Sequence, residues 1–155
     1  METTPTPSVG EGSYENPWSY QGSTFTSNDI DNFFGFVYCI TNVQDGRQYI
    51  GRKYFWKFRT PRGKKRKVKS ESDWKKYYGS CPELKEEIGR LGKWNFSRTI
   101  LSLHKTAGKT NFEETRQLFA HGVLTEQLDD GTPKYYNSNI LSRYFRKDYY
   151  GIEYD

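Results

Sequence analysis

Residues 35–55 read GFVYCITNVQDGRQYIGRKYF. Phe36, Tyr38 and Ile40 alternate with Val37, Cys39 and Thr41, which predicts a strand with both faces at least partly covered. Asp45-Gly46 then signals a hairpin turn, and Arg47 to Gly51 makes the second strand. Whether the loop holds two residues or four, paired positions sum to an odd number. Tyr38 and Tyr49, eleven positions apart, therefore emerge on one face of the hairpin.

Cations crowd behind this hairpin. Residues 47–76 hold 13 of the chain's 24 Lys and Arg against two acids, Glu71 and Asp73. Such a block is an electrostatic footprint for a polyanion, and a solvated basic loop is the alternative. Past Gly51, RKYFWKFR reads as a short helix ended by Pro61 and Gly63, and GKKRKVKSES as an exposed basic loop. Residues 1–35 are the reverse, with Glu2, Glu11, Glu15, Asp29 and Asp31 and no Lys or Arg. Residues 1–13, rich in Thr, Pro, Ser and Gly, are expected to form a disordered tail. Trp18, Tyr20, Phe25, Ile30, Phe33 and Phe34 make residues 14–34 an ordered extension lying against the domain. An acidic segment folding over the basic face is a further possibility.

Downstream, Pro82 in a first turn, Leu84, Ile88 and Leu91 on one stripe, and Gly92 at the far end mark an amphipathic helix. NFSRTILSLH gives a third strand. Asn111 and Glu114 have capping-box spacing at the head of another helix, FEETRQLFAHGVL. LDDGTPK is a turn, and YYNSNILSRYF is an aromatic return. These elements make an α+β domain with a small sheet covered by helices. At 155 residues one domain is expected, with its core leaning on the 17% aromatic content. No run approaches a membrane span and no secretory leader is evident, so a cytoplasmic protein is expected. Cys39, Cys81, His104 and His121 show neither a disulfide framework nor zinc spacing.

The two tyrosine triplets, FVY at 36–38 and YIG at 49–51, resemble the GIY-YIG nuclease family; Phe36 stands where glycine is usual. The run YYGSCPELKEEIGRLGKWNFSRTIL is similar to that of Seg-like homing endonucleases encoded by phages, and the likeness covers most of residues 35–140. It implies a three-stranded antiparallel sheet flanked by helices, a nuclease domain over residues 35–155 with a basic insertion at about 60–72, and DNA as partner. It also implies a catalytic arginine ten positions beyond the second tyrosine, Arg59, with Arg52 competing. Glu114 fits the family's glutamate, and Asn137 its asparagine, with Asn139 the alternative.

The resemblance further implies a single Mg²⁺ or Mn²⁺ held mainly by Glu114, which suits an ion content with one or two carboxylates plus substrate oxygens. Tyr38 would be the general base towards water, helped by nearby positive charge, and Tyr49 would orient that water. The arginine would neutralise phosphate charge, and Asn137 would hold local backbone. Lys53, Arg62, Lys64, Lys65, Arg66, Lys67, Lys69, Lys75 and Lys76 are the expected DNA contacts, made to backbone phosphate. A non-catalytic nucleic-acid-binding protein on the same scaffold, or a basic protein-interaction module, fits the composition too.

Overall fold

The computed structural model describes residues 13–152; the expected tail falls outside them except for Ser13. Two short strands, β1 (Ser19–Tyr20) and β2 (Ser23–Thr24), precede the hairpin of β3 (Gly35–Asn42) and β4 (Gln48–Tyr54). A second hairpin follows, β5 (Trp56–Arg59) and β6 (Val68–Glu71). Helix α1 (Pro82–Leu91), strand β7 (Phe96–His104) and helix α2 (Ala107–Ala120) complete the body. Strands β8 (Asn139–Ile140) and β9 (Tyr144–Phe145) and helix α3 (Arg146–Tyr149) close it.

The main sheet runs β2-β1-β7-β3-β4. Its β7-β3-β4 portion is antiparallel, as the hairpin pattern predicts, but the sheet has five strands rather than three. The extra pair comes from the N-terminal extension, where β1 lies parallel to β7 with Ser19 opposite Thr99. Two-residue strands leave no alternation to read, so the sequence gives no sign of them. In the first hairpin Tyr38 faces Gly51 and Ile40 faces Tyr49. Both tyrosines thus share a face, with Asn42 bonded to Arg47 across the longer loop.

Both faces of β3 are covered. Phe36, Tyr38 and Ile40 enter an aromatic core with Trp18, Phe25, Phe55, Trp74 and Phe96. Val37 and Cys39 turn the other way, onto Leu118, Val123 and Ile140. The extension is part of the first core. Trp18 is fully buried, and its indole Nε1 donates to Trp74 O at 2.7 Å. The buried Arg98 guanidinium donates to the carbonyls of Asn16 and Tyr77 and lies between the rings of Trp18 and Tyr78. Glu15 pairs with Lys93, and Asp29 accepts from the Thr26 backbone. Residues 14–34 therefore complete the sheet, and Tyr14 lies against Lys75.

Three other expectations are corrected. RKYFWKFR is extended and not helical: β4 runs on to Tyr54, the chain bends at Phe55, and β5 continues. Tyr54, Trp56 and Phe58 alternate with Lys53, Phe55 and Lys57, and such aromatic alternation favours strand over helix. The basic loop is shorter than expected, since Val68 to Glu71 pairs with β5 in the register Arg59 to Val68 and Trp56 to Glu71. Helix α2 begins a turn early, capped by Thr106, whose side-chain oxygen accepts from the Lys109 amide. Asn111 and Glu114 thus lie inside the helix and form no capping box. Gly108, a poor helix former, hides that start in the sequence.

Candidate active site

Strand β4 is an edge of the sheet, so side chains from both of its faces reach one cleft. That cleft, about 430 Å³, is lined by Tyr49, Arg52, Glu114 and Asn137 together with Ser80, Ser138 and Asn139. Tyr49 comes from the aromatic face and Arg52 from the face under α2. Glu114 faces them from the helix, its carboxylate 3.4 Å from Arg52 Nε. The Arg52 guanidinium also lies 5.0 Å from the ring centre of Tyr54, whose hydroxyl donates to Asn111 Oδ1 at 2.7 Å. Asn111 therefore docks α2 on β4, which fixes Glu114 one turn further along.

Tyr38 stands behind this cleft and does not line it. It is 1% exposed, and its ring centre is 6.2 Å from that of Tyr49 and 5.0 Å from Trp18. Its ring lies across Gly51. A Cβ there would collide with Tyr38 Oη, lie 2.7 Å from Cζ and come within 3.1 Å of Tyr49 Cε1. Gly79, at φ +84, approaches the same two rings. Both glycines leave the room that the phenols occupy.

Burial decides the protonation of these groups. It holds the Tyr38 phenol well above its ordinary value, helped by Tyr49, Tyr77 and the nearby Glu114 carboxylate. Tyr49 is pushed up to about 12, first by burial, although a hydrogen bond from Ser80 favours its phenolate. Glu114 is also raised by burial, and Arg52 draws it back. Left alone, the pair of phenols is neutral at pH 7.

Asn137 is buried and clamps the edge strand: its Oδ1 accepts from Ile50 N at 3.1 Å and its Nδ2 donates to Ile50 O at 2.8 Å. One side-chain amide thereby replaces the next rung of a ladder that Lys134 and Tyr136 begin at Gln48. Asn139 holds the turn at the cleft rim, accepting from Ser142 N. Leu141 and Ser142 in that turn have φ of 58° and 50°.

Other candidates lie elsewhere. Arg59 is at the exposed end of β5, outside the cleft lining, whereas Arg52 is inside it. Lys53 is tied to Asp73 at 2.6 Å and covers the Tyr77 ring. Lys75 packs over Tyr14 and Trp74, with Lys76 exposed beside it in a single helical turn. Arg62, Lys64, Lys65, Arg66 and Lys67 are exposed in the loop joining β5 to β6, and Lys69 follows on β6. The sequence reading assigns nothing to Tyr77, Gly79 or Ser80, although the YYGS run that carries them lies against both phenols. Among the described residues, no three His, Cys, Asp or Glu side chains gather to hold a metal, and no helix is long and apolar enough to cross a membrane.

A family model described as putative endonuclease segE, GIY-YIG domain, matches residues 18–140. The match begins at Trp18, the residue that carries the extension into the core. No curated protein and no solved structure matches the chain.

Proposed function

Because the chain belongs to the GIY-YIG family, as a SegE-type endonuclease domain, we propose that it is a metal-dependent DNA endonuclease with its centre in the cleft at the β4 edge. One observation carries the reading: the cleft brings Tyr49, Arg52 and a single half-buried carboxylate, Glu114, together on rigid elements. Phosphodiester hydrolysis needs an activated water, charge relief on the phosphoryl oxygens and a stabilised leaving oxygen.

Glu114 is the residue that would hold Mg²⁺ or Mn²⁺. A lone hard oxygen donor at an open cleft suits an ion that keeps most of its waters and takes the rest of its shell from phosphate. When bound, the ion would supply Lewis acidity at the scissile phosphate and positive charge that favours ionised phenols. Arg52, released from Glu114 by a phosphate, presents its planar fork to the phosphoryl oxygens. Tyr49 opens on the cleft and is the phenol placed to touch the attacking water. Tyr38, closed off behind it and hydrogen-bonded to Tyr77, backs the Tyr49 ring. Asn137 fixes the Ile50 backbone through its Oδ1 and one Nδ2 hydrogen. The assignment as a phage-encoded, homing-type enzyme rests on the likeness of the run from Tyr77 to Leu101 alone.

The test is cleavage of supercoiled plasmid with Mg²⁺ or Mn²⁺, with folded Glu114→Ala, Arg52→Ala and Arg59→Ala proteins alongside. Loss of one charged donor to a phosphoryl transition state costs on the order of 10²–10³ in kcat. The expected pattern is loss in the first two and unchanged turnover at saturating DNA in the third. Cleavage that survives Glu114→Ala would refute the assignment, and DNA binding without cleavage by the wild type would favour a non-catalytic scaffold.

A further inference from the structure

The second hairpin stands apart from the cleft. Its cations are dense: Lys57, Arg59, Arg62, Lys64, Lys65, Arg66, Lys67 and Lys69 occupy residues 57–69 with no acid among them. These eight charges exceed the chain's net +5, so the remainder of the protein is net negative by three. Four of the remaining acids, Glu2, Glu11, Glu153 and Asp155, lie outside the described residues, so the described body is close to neutral and the arm holds the densest positive charge.

The register divides the arm into two faces. Trp56, Phe58, Lys69 and Glu71 share one, and its side chains lean on neighbours while Phe58 stays 52% exposed: Phe58 stacks on Phe34, 6.4 Å between ring centres, and Lys69 Nζ lies 4.2 Å from the centre of the Trp56 ring. Lys57, Arg59, Val68 and Ser70 share the other. Lys57 and Arg59 are exposed there and Val68 is 51% exposed. A free face with two cations, a hydroxyl and an apolar methyl pair carries the donors and the methyl contact that duplex base edges offer partners for.

We propose that the β5–β6 arm is a two-stranded ribbon that enters the major groove of duplex DNA with its Lys57/Arg59 face towards the bases, while the loop from Arg62 to Lys67 holds the flanking phosphates. Two strands about 4.8 Å apart with their side chains match a groove about 12 Å wide and are too broad for the minor groove of about 6 Å. Arg59 thereby belongs to recognition and not to the cleft. It lies seven positions beyond Arg52, a backbone reach of at most about 23 Å at roughly 3.3 Å per residue. The Lys57/Arg59 backbone therefore lies within the length of about seven base pairs of Arg52.

This proposal rests on the DNA reading above but can be tested without cleavage. Binding of a labelled mixed-sequence duplex three helical turns long is followed by fluorescence anisotropy in EDTA. Competitors are methyl green, which fills the major groove, and netropsin, which fills the minor. The wild type should be displaced by methyl green and not by netropsin, and Lys57→Ala/Arg59→Ala should bind at least about tenfold more weakly. Unchanged affinity in that variant, or displacement by netropsin alone, would overturn the ribbon even if the protein cuts plasmid. Groove-dependent binding by a chain that never cuts would instead sink the nuclease reading and leave the ribbon standing.

Discussion

Replacing Gly51 by alanine separates two physical expectations of opposite sign. In a regular strand or helix, alanine in place of glycine stabilises by roughly 0.5–1 kcal/mol because less chain entropy is lost on folding. At Gly51 the added methyl meets the Tyr38 phenol, with Cζ at 2.7 Å and Oη nearer still. That ring is 1% exposed and packed against Trp18, Phe36 and Tyr77, so it cannot step aside. Overpacking of this kind costs about 1–3 kcal/mol. The expected balance is a loss of about 1–2 kcal/mol, or roughly 2–8 °C in Tm for a domain of this size.

The control is Gly89→Ala on the exposed side of α1, where a Cβ meets nothing within 4 Å and the helix should gain about 0.5–1 kcal/mol. Thermal and urea unfolding of both variants, repeated in a Tyr38→Phe background, closes a double-mutant cycle. The penalty at Gly51 should shrink when Oη is removed and not vanish, because Cζ remains. If Gly51→Ala stabilises as Gly89→Ala does, or if the cycle shows no coupling, the account of the second triplet's glycine is wrong.

Three further outcomes follow from the same geometry. Burial raises the Glu114 carboxyl, so the folded chain favours the protonated acid; that stability is complete below the unfolded value and is lost as pH rises through the folded one. Glu114→Gln should therefore melt above the wild type at pH 8 and converge with it in acid, and a lower Tm at pH 8 would contradict this. Asn137→Ala strands the buried N–H and C=O of Ile50 and should cost roughly 2–5 kcal/mol, against less than about 1 kcal/mol for Asn139→Ala at the rim; equal losses in denaturant titrations would refute the clamp. Neutralising Lys64, Lys65, Arg66 and Lys67 should flatten the salt dependence of DNA binding by up to about 3.6 in log–log slope and weaken all sequences alike, whereas an unchanged slope would remove the loop from the phosphate contacts.

The central hairpin was legible because period-two alternation and Asp45-Gly46 are local signals, and parity alone carries both tyrosines to one face. Helix α1 was legible for the same reason, with Pro82 and Gly92 as punctuation. What escaped depends on partners remote in sequence. β1 and β2 are strands only because β7 offers an edge to Ser19 and Tyr20. The arm escaped because RKYFWKFR satisfies a helical stripe and an alternating pattern equally, and β6 supplies the pairing that decides. Arg52 and Arg59 could not be separated by counting from Tyr49. The bend at Phe55 carries the chain away from the cleft between them.

The location of the cleft follows from what its groups require. Under the proposed function, a carboxylate taking a hydrated ion and a phosphate would need solvent, while a phenol held ready for proton transfer would need shelter from competing water. An interior strand offers only shelter, and Tyr38 on β3 has only that. An edge strand offers both, so β4 can present Tyr49 on one face and Arg52 on the other to the same opening. The Glu114 carboxylate on the far face lies near enough to help raise the Tyr38 phenol, after burial and the neighbouring tyrosines. The one position on β4 over which the interior phenol lies is Gly51, where the strand has no side chain. A side chain there would press on the buried Tyr38 phenol and on the ring of Tyr49, which lines the cleft, at once.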